Sequence, residues 1–398
     1  MRRSVRLILF TFIENFALTL VLRSAYFYGR ETLGFSDIEN LLMAMAFGAT
    51  MAVGALCSHR LSQRLKEKKQ LVGILWCQFI LYMGMFFGAG LAATLMVGLA
   101  GLGFLCGLKW PVVESYLGAG QEAPATAKAI GRFSISGATA ILLAMLVAGP
   151  IIAAWSAGLF LTAAVIAPVS LYLVAPLPRR PAHLPDDHPT RPPAGQVLRY
   201  RALMNSSRWL MLGNQAMTAI LVALVPHVLH NLGRHVSEAT ALSGVLDAAK
   251  LAAFILMGAW GAWHGRSGLL LAAMAAAMAG FFMVLFGPNL AVVLAGEALF
   301  GLAVGVTYYA ALYYAIVVKN ASVDAGGGHE ALIGAAGAIG PAAGLAGIAL
   351  ADVLGSRVLA TVAGVGPMLA FFAWRGSWPL VRDRLRSRGK ITTADKPK

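Results

Sequence analysis

The chain has 398 residues, 59% of them hydrophobic and only 12% charged, with a mean hydropathy of +0.73. A soluble domain carries about 25% charged residues, so this chain cannot cover itself in water and reads as an integral membrane protein, with the lipid bilayer as its main partner. The net charge of +15 does not point to nucleic acid, because the basic residues lie in short connections and at the ends, with no basic stripe carrying stacking aromatics.

The opening M-R-R-S-V-R, followed by L-I-L-F-T-F-I, begins like a signal peptide. The apolar run nevertheless continues past Glu14 and Asn15 to Gly29 without a small-residue cleavage site, and is read as a retained first span. A helix needs about 20 mostly apolar residues to cross a bilayer. Twelve segments qualify: 5–29, 38–58, 71–90, 93–117, 130–151 and 157–177, then 209–231, 239–263, 268–286, 289–317, 330–352 and 356–374. The fold class expected is therefore an all-α membrane protein of twelve transmembrane helices.

Residues 178–208 are rich in Pro, Arg, Asp and His and read as a polar cytoplasmic linker between an N-terminal half, 1–177, and a C-terminal half, 209–375. A basic tail, 376–398, follows. The linker holds H-L-P-D-D-H from His183 to His188, but a solvated, proline-rich segment with no pairing partner reads as polar, and no metal is expected there. Cys57, Cys77 and Cys106 have no metal-ligand spacing and read as small buried hydrophobes without disulfides. The sequence has no P-loop, and no convergent catalytic set or cofactor motif, so neither nucleotide hydrolysis nor an enzyme is expected.

Orientation follows from the basic residues. With the N-terminus in the cytoplasm, the inside holds Arg60, Arg64, Lys66, Lys68, Lys69, Lys128, Arg132, the linker arginines, Arg266, Lys319 and the tail. The outside holds only Arg30, Arg234 and Arg357, so both termini are expected inside, in the plasma (inner) membrane if the source is bacterial.

The halves repeat each other at offsets of 197 to 201 residues. N-F-A-L-T from Asn15 matches N-Q-A-M-T from Asn214, and Ser36-Asp37 matches Ser237-Glu238. Gly107, with Trp110, Ser115 and Tyr116, matches Gly305, with Tyr308, Tyr313 and Tyr314, while Gly131 and Gly137 match Gly328 and Gly334. Each half has six spans, so the repeats run parallel about an axis along the membrane normal.

Two parallel six-span halves joined by a polar linker resemble the major facilitator superfamily of secondary transporters, and the resemblance covers nearly the whole chain. The family's marker loop after the second span has the form G-x-x-x-D-R-x-G-R-R; here the chain reads G-A-L-C-S-H-R-L-S-Q-R-L-K-E-K-K from Gly54. The L-S-x-R core of Leu61, Ser62, Gln63 and Arg64 survives, with Gln63 in place of the acid, or His59 if Arg60 is the matching arginine. The counterpart W-H-G-R, Trp263 to Arg266, is also partial, and both loops are expected at least to anchor the positive side. Gly149-Pro150 resembles part of an exporter-associated element, whose fuller glycine ladder sits instead in the eleventh span from Gly334 to Gly344. The resemblance implies a monomer that moves a small solute by alternating access, coupled to protons, with the first, fourth, seventh and tenth spans lining a central cavity. The competing reading is a non-transporting sensor or assembly protein on the same fold.

Charges within spans are costly, at least ~2.5–3.5 kcal/mol each, so they mark candidate sites. At ~1.5 Å per residue, Glu14 lies about 4.5 Å and Lys109 about 6 Å cytoplasmic of their span midpoints. They are expected to face each other in the N-terminal half of the cavity, as a proton-carrying pair, an anion-binding lysine held by a carboxylate, or a static ion pair. Asn15, Asn214 and Gln215, and the matching aromatics Trp110 and Tyr308, are candidate solute contacts. Arg23, Asp247 and Glu297 fall about 6–10 Å outward of their midpoints. Arg23 can close an outer gate on one of these acids, while Asp247 and Lys250, three apart, can also satisfy each other. Glu114, nearer the cytoplasmic end, is expected at the interface. His227 and His230 are read as interfacial histidines at the outer end of the seventh span.

Overall fold

A chain in a bilayer must satisfy its backbone polar groups within itself, which leaves helices as the spanning element for apolar runs of this length. The computed structural model describes residues 3–118, 123–181, 194–318 and 323–387. The polar stretch His183–His188, Lys319 and the last residues of the tail lie outside the described residues.

The first span, α1, consists of Arg3–Leu22 and Ser24–Leu33, continuous through Arg23, whose backbone is itself helical. It is followed by α2 (Asp37–Leu65), α3 (Glu67–Phe87), α4 (Ala92–Gly118), α5 (Ala123–Trp155) and α6 (Gly158–Val174). The second half comprises α7 (Ala194–Asn231), α8 (Val236–Ala259), α9 (Ser267–Phe286), α10 (Leu290–Val318), α11 (Val323–Leu354) and α12 (Arg357–Ser387). Eleven of these are long and apolar enough to cross a membrane, and α6, at 17 residues, sits at the short limit for a span.

The helices outrun the apolar segments at several ends. Residues 194–208 and 376–387, grouped by composition with the linker and tail, belong to α7 and α12. Tyr200, Leu203 and Met204 recur at helical spacing and bury against Tyr314 and Leu380, so the amphipathic extension has a core of its own. The marker stretch after the second span is likewise helical to Leu65, and the chain reverses at Lys66, the one described non-glycine residue with positive φ (68°). In the other half α8 stops at Ala259, and Trp263 closes a short 3-10 turn with its indole donating to the Met257 carbonyl at 2.9 Å. Cys106 is buried as expected, whereas Cys57 and Cys77 are exposed on the bundle's periphery.

The repeat is visible in the packing. A Cβ built on Gly107 would lie 2.1 Å from the Met51 carbonyl oxygen, so α4 meets α2 backbone to backbone. One built on its counterpart Gly305 would lie 2.5 Å from the Ala253 side chain, so α10 closes on α8 in the same way. Between the halves, α2 runs along α11 and α5 along α8. A Cβ on Gly48 would lie 2.4 Å from the Gly337 carbonyl carbon, and one on Gly149 would lie 2.2 Å from the Thr240 hydroxyl. Such close seams suit a membrane bundle, where packing replaces the hydrophobic drive between helices.

The expected consequence is positional. Gly107→Ala should lower the melting temperature of detergent-solubilised protein by an amount equivalent to about 1–3 kcal/mol of overpacking. Gly73→Ala, at a helical position with nothing within 4 Å of the new Cβ, should leave it unchanged or slightly raised.

Candidate functional site

Lys109 is completely buried, and its ammonium donates to Glu14 Oε2 at 2.6 Å and to Gln78 Oε1 at 3.1 Å. Gln78 passes the network on to the Tyr82 hydroxyl at 2.9 Å. The lysine also lies 5.0 Å from the centre of the Trp110 ring, within cation–π range. The two charges expected at equal depth on α1 and α4 therefore do meet. They do so inside the N-terminal half, braced by α3, and neither lines the central cavity.

The equivalent place in the other half holds no charge. There Asn214 on α7 donates to the Thr307 hydroxyl on α10 at 2.7 Å, Thr307 standing where the repeat has Lys109. Asn214 is buried in that bond and also does not line the cavity.

The cavity itself, of about 230 Å³, lies between the halves. Asn15, Trp110, Gln215 and Tyr308 all line it, as does Lys250. Trp110 stands edge-to-face with Phe133 at 6.0 Å, and Tyr308 lies tilted on Phe254 at 5.8 Å, so each half contributes an aromatic pair. Asn15 Nδ2 is held by the Thr11 carbonyl at 2.8 Å.

Sequence reasoning missed three polar lining groups. Glu114, expected only at the interface, lines the cavity from α4. Glu330, at the start of α11, is 5% exposed and lines the same cavity from the other half. Ser134 on α5 is 7% exposed, and its hydroxyl has no partner among the described residues. Two acids at similar depth on α4 and α11 were available as a clue, but only the three-dimensional pairing of those helices brings them together.

Beyond the cavity, on the side of the α1–α2 connection, contacts cross between the halves. Arg23 Nη1 bonds Asp247 Oδ2 at 2.7 Å, and Asp247 Oδ1 also receives Lys250 at 3.2 Å, so both expected pairings coexist around one buried carboxylate. Glu297 is 1% exposed in the adjoining space beside Arg23, and its Oε2 has no hydrogen-bond partner among the described residues. Asn40 donates to the Ala223 carbonyl at 3.1 Å, and His227 approaches Asp37 at 2.7 Å. His230 comes within 3.9 Å of Glu31.

At the opposite face lie the marker residues. Gln63 hydrogen-bonds His59 one turn earlier at 3.0 Å, and Gln70 spans from α3 to the Ser58 hydroxyl and the Leu108 carbonyl, both at 3.1 Å. These bonds pin the α2–α3 reversal onto α4 directly beside Lys109. Around Arg266, His264 stacks on Tyr313 at 4.4 Å, and burial holds its imidazole below the usual histidine range.

No curated protein matches the sequence. Among solved structures, the chain is similar to a mutant form of the nucleoside transporter NupG, with a TM-score of 0.68 at 11% identity, covering 95% of this chain and 100% of that one. It is also similar to a bacterial homolog to the human lysosomal transporter Spinster, in an inward-facing and unoccupied conformation. That match has a TM-score of 0.62 at 15% identity and covers 96% of this chain and 93% of that one. The sequence profile of the Major Facilitator Superfamily matches residues 7–327. With its twelve helices in two repeated halves around a shared cavity, the chain belongs to the Major Facilitator Superfamily of transporters.

Proposed function

We propose that this protein is a proton-coupled secondary transporter that carries a small solute by alternating access, and is not an enzyme. The observation that carries this reading is the cavity lined from both halves, with inter-half bonds on one side of it. A site shared by two rigid bodies changes its exposure when they rock, and that is the geometry alternating access requires. The basic residues put the bonded side outward and both termini in the cytoplasm, and a monomer suffices because the cavity is complete within one chain.

Arg23 is 15% exposed while Asp247 is fully buried. The guanidinium can therefore exchange Asp247 for water when the outer side opens, with Lys250 remaining to neutralise the acid. This makes Arg23–Asp247 the outer gate.

Proton coupling is assigned to Glu14. Its carboxylate balances a lysine that has no access to solvent. A proton on Glu14 removes that balance and leaves a buried unpaired cation, a cost of several kcal/mol that only a rearrangement of α1 against α4 relieves. Because Trp110 touches Lys109 and also lines the cavity, the change reaches the solute site through that ring.

Two outcomes are expected. Solute flux into vesicles containing the purified chain should rise with an imposed pH gradient, and Glu14→Gln should abolish that dependence; flux indifferent to the gradient in the native chain overturns the coupling. In equilibrium unfolding, Glu14→Gln or Lys109→Met alone should each cost about 3–5 kcal/mol, while the double variant recovers most of the loss. Additive losses would remove the pair from its central position.

A further inference from the structure

We propose that the outer side of the bundle carries a pH-sensitive latch, in which protonated His227 and His230 at the end of α7 grip acids of the N-terminal half and hold the two halves shut there. This rests on reading the halves as bodies that rock, and it adds a control by the outside medium that coupling through Glu14 does not supply.

The geometry is a double contact between the halves. His227 Nδ1 lies 2.7 Å from Asp37 Oδ1 at the start of α2, and His230 Nδ1 lies 3.9 Å from Glu31 Oε1 near the end of α1. Both atoms of the closer contact are shut off from water, and neither has a hydrogen-bond partner elsewhere among the described residues. The helix ends are also docked without the histidines, since Asn40 donates to the Ala223 carbonyl, one turn before His227, at 3.1 Å. A movement that draws α1 and α2 away from α7 breaks both histidine contacts.

Helix polarity favours the same charges. His230 stands in the last turn of α7, with His227 just before it, where a positive charge is stabilised. Asp37 and Glu39 stand in the first turn of α2, where a negative charge is stabilised.

The other ionisable groups at this corner leave the histidines their acids. Glu39 accepts from the Ser36 backbone N–H at 2.8 Å, and His235 Nδ1 is taken by the Ser237 hydroxyl at 2.9 Å. Arg234 pairs with Glu238 of α8 at 3.7 Å. Arg30 precedes Glu31 on α1, while Asp352 and Arg357 stand exposed at the outer ends of α11 and α12. Acids outnumber arginines around the contacts, and that balance supports a protonated imidazole.

The direction of the response follows. His227 is 15% and His230 53% exposed, so water on the outer side sets their protonation. Between about pH 5 and 8 carboxylates stay ionised while histidines titrate. The charged contacts exist only while the outer side is shut, so the imidazolium form is favoured in that state over the open one. By linkage, acid outside favours the shut state; this contribution is complete below the histidine range and fades as pH rises through it. Outside acid thereby turns the cavity toward the opposite side.

The test measures the separation of the halves at the outer end of the full chain in detergent. Spin labels are placed on Leu91→Cys, in the α3–α4 connection, and Pro288→Cys, in the α9–α10 connection, both exposed positions. Cys57, Cys77 and Cys106 are replaced by serine. As pH falls from about 8 to about 5, the distance distribution should move to the shorter separation, the shut-to-open ratio rising about fivefold to tenfold. His227→Gln combined with His230→Gln should hold the distribution constant over that range, and Asp37→Asn alone should remove most of the shift. Glu14→Gln should keep it. A distribution unmoved by pH with the histidines intact overturns the proposal, as does a lengthening in acid or a shift that survives the double histidine variant. The pH series on the histidine-intact chain decides the matter even where a variant does not fold. A shift that persists while solute flux ignores a pH gradient contradicts the Glu14 coupling alone, whereas gradient-driven flux with no shift contradicts the latch alone.

Discussion

A bilayer interior offers no water to an isolated charge, and the arrangement of this protein follows from how each buried charge is answered. Within the N-terminal half, Lys109 is answered by Glu14 and Gln78 with no exposure at all. Across the halves, Asp247 is answered twice, by Lys250 on its own helix and by a partly exposed Arg23. The first bond cannot open without stranding a charge. The second can, because both partners keep an alternative. In the proposed mechanism the bond inside one body yields only to a proton, while the bond between the two bodies exchanges as they rock.

The pseudo-symmetry sets a common frame on which asymmetry is written. Gly107 and Gly305 bring α4 and α10 close against α2 and α8, and Trp110 and Tyr308 occupy matching walls of the cavity. Against this frame, the bond between the first and fourth helices of a half is an ion pair in one half and an Asn214–Thr307 hydrogen bond in the other. In the proposed coupling, proton sensitivity is thereby confined to one half, and the cavity sits between a titratable body and a neutral one.

Much of this was legible in the sequence because its signals are one-dimensional. Apolar run length marked the spans, and fixed offsets marked the repeat. Counting residues from span centres brought Glu14 to Lys109, and Arg23 to the two acids Asp247 and Glu297, since ~1.5 Å per residue fixes depth well. What depth does not fix is azimuth. α4 is apolar on nearly every face, so nothing in its pattern separated Lys109, turned into the half, from Glu114, turned into the cavity. Glu330 stood at the edge of an expected span and acquired meaning only through the packing of α11 against α4. Ser134 was invisible for a plainer reason: an unsatisfied hydroxyl is a property of its surroundings. The helical start of α7 was hidden by proline- and arginine-rich composition, although Tyr200, Leu203 and Met204 carried its spacing.

Alternating exposure of the shared cavity is the central claim, and side-specific labelling addresses it most directly. Ile141 lines the cavity and is partly buried. Ile141→Cys, placed in a chain whose Cys57, Cys77 and Cys106 are replaced by serine, gives one reactive thiol there. Vesicles of uniform orientation are then exposed to a membrane-impermeant thiol reagent on one face or the other. Labelling from both faces is the expected result, as the halves rock. Labelling from a single face, or from neither, would contradict alternating access.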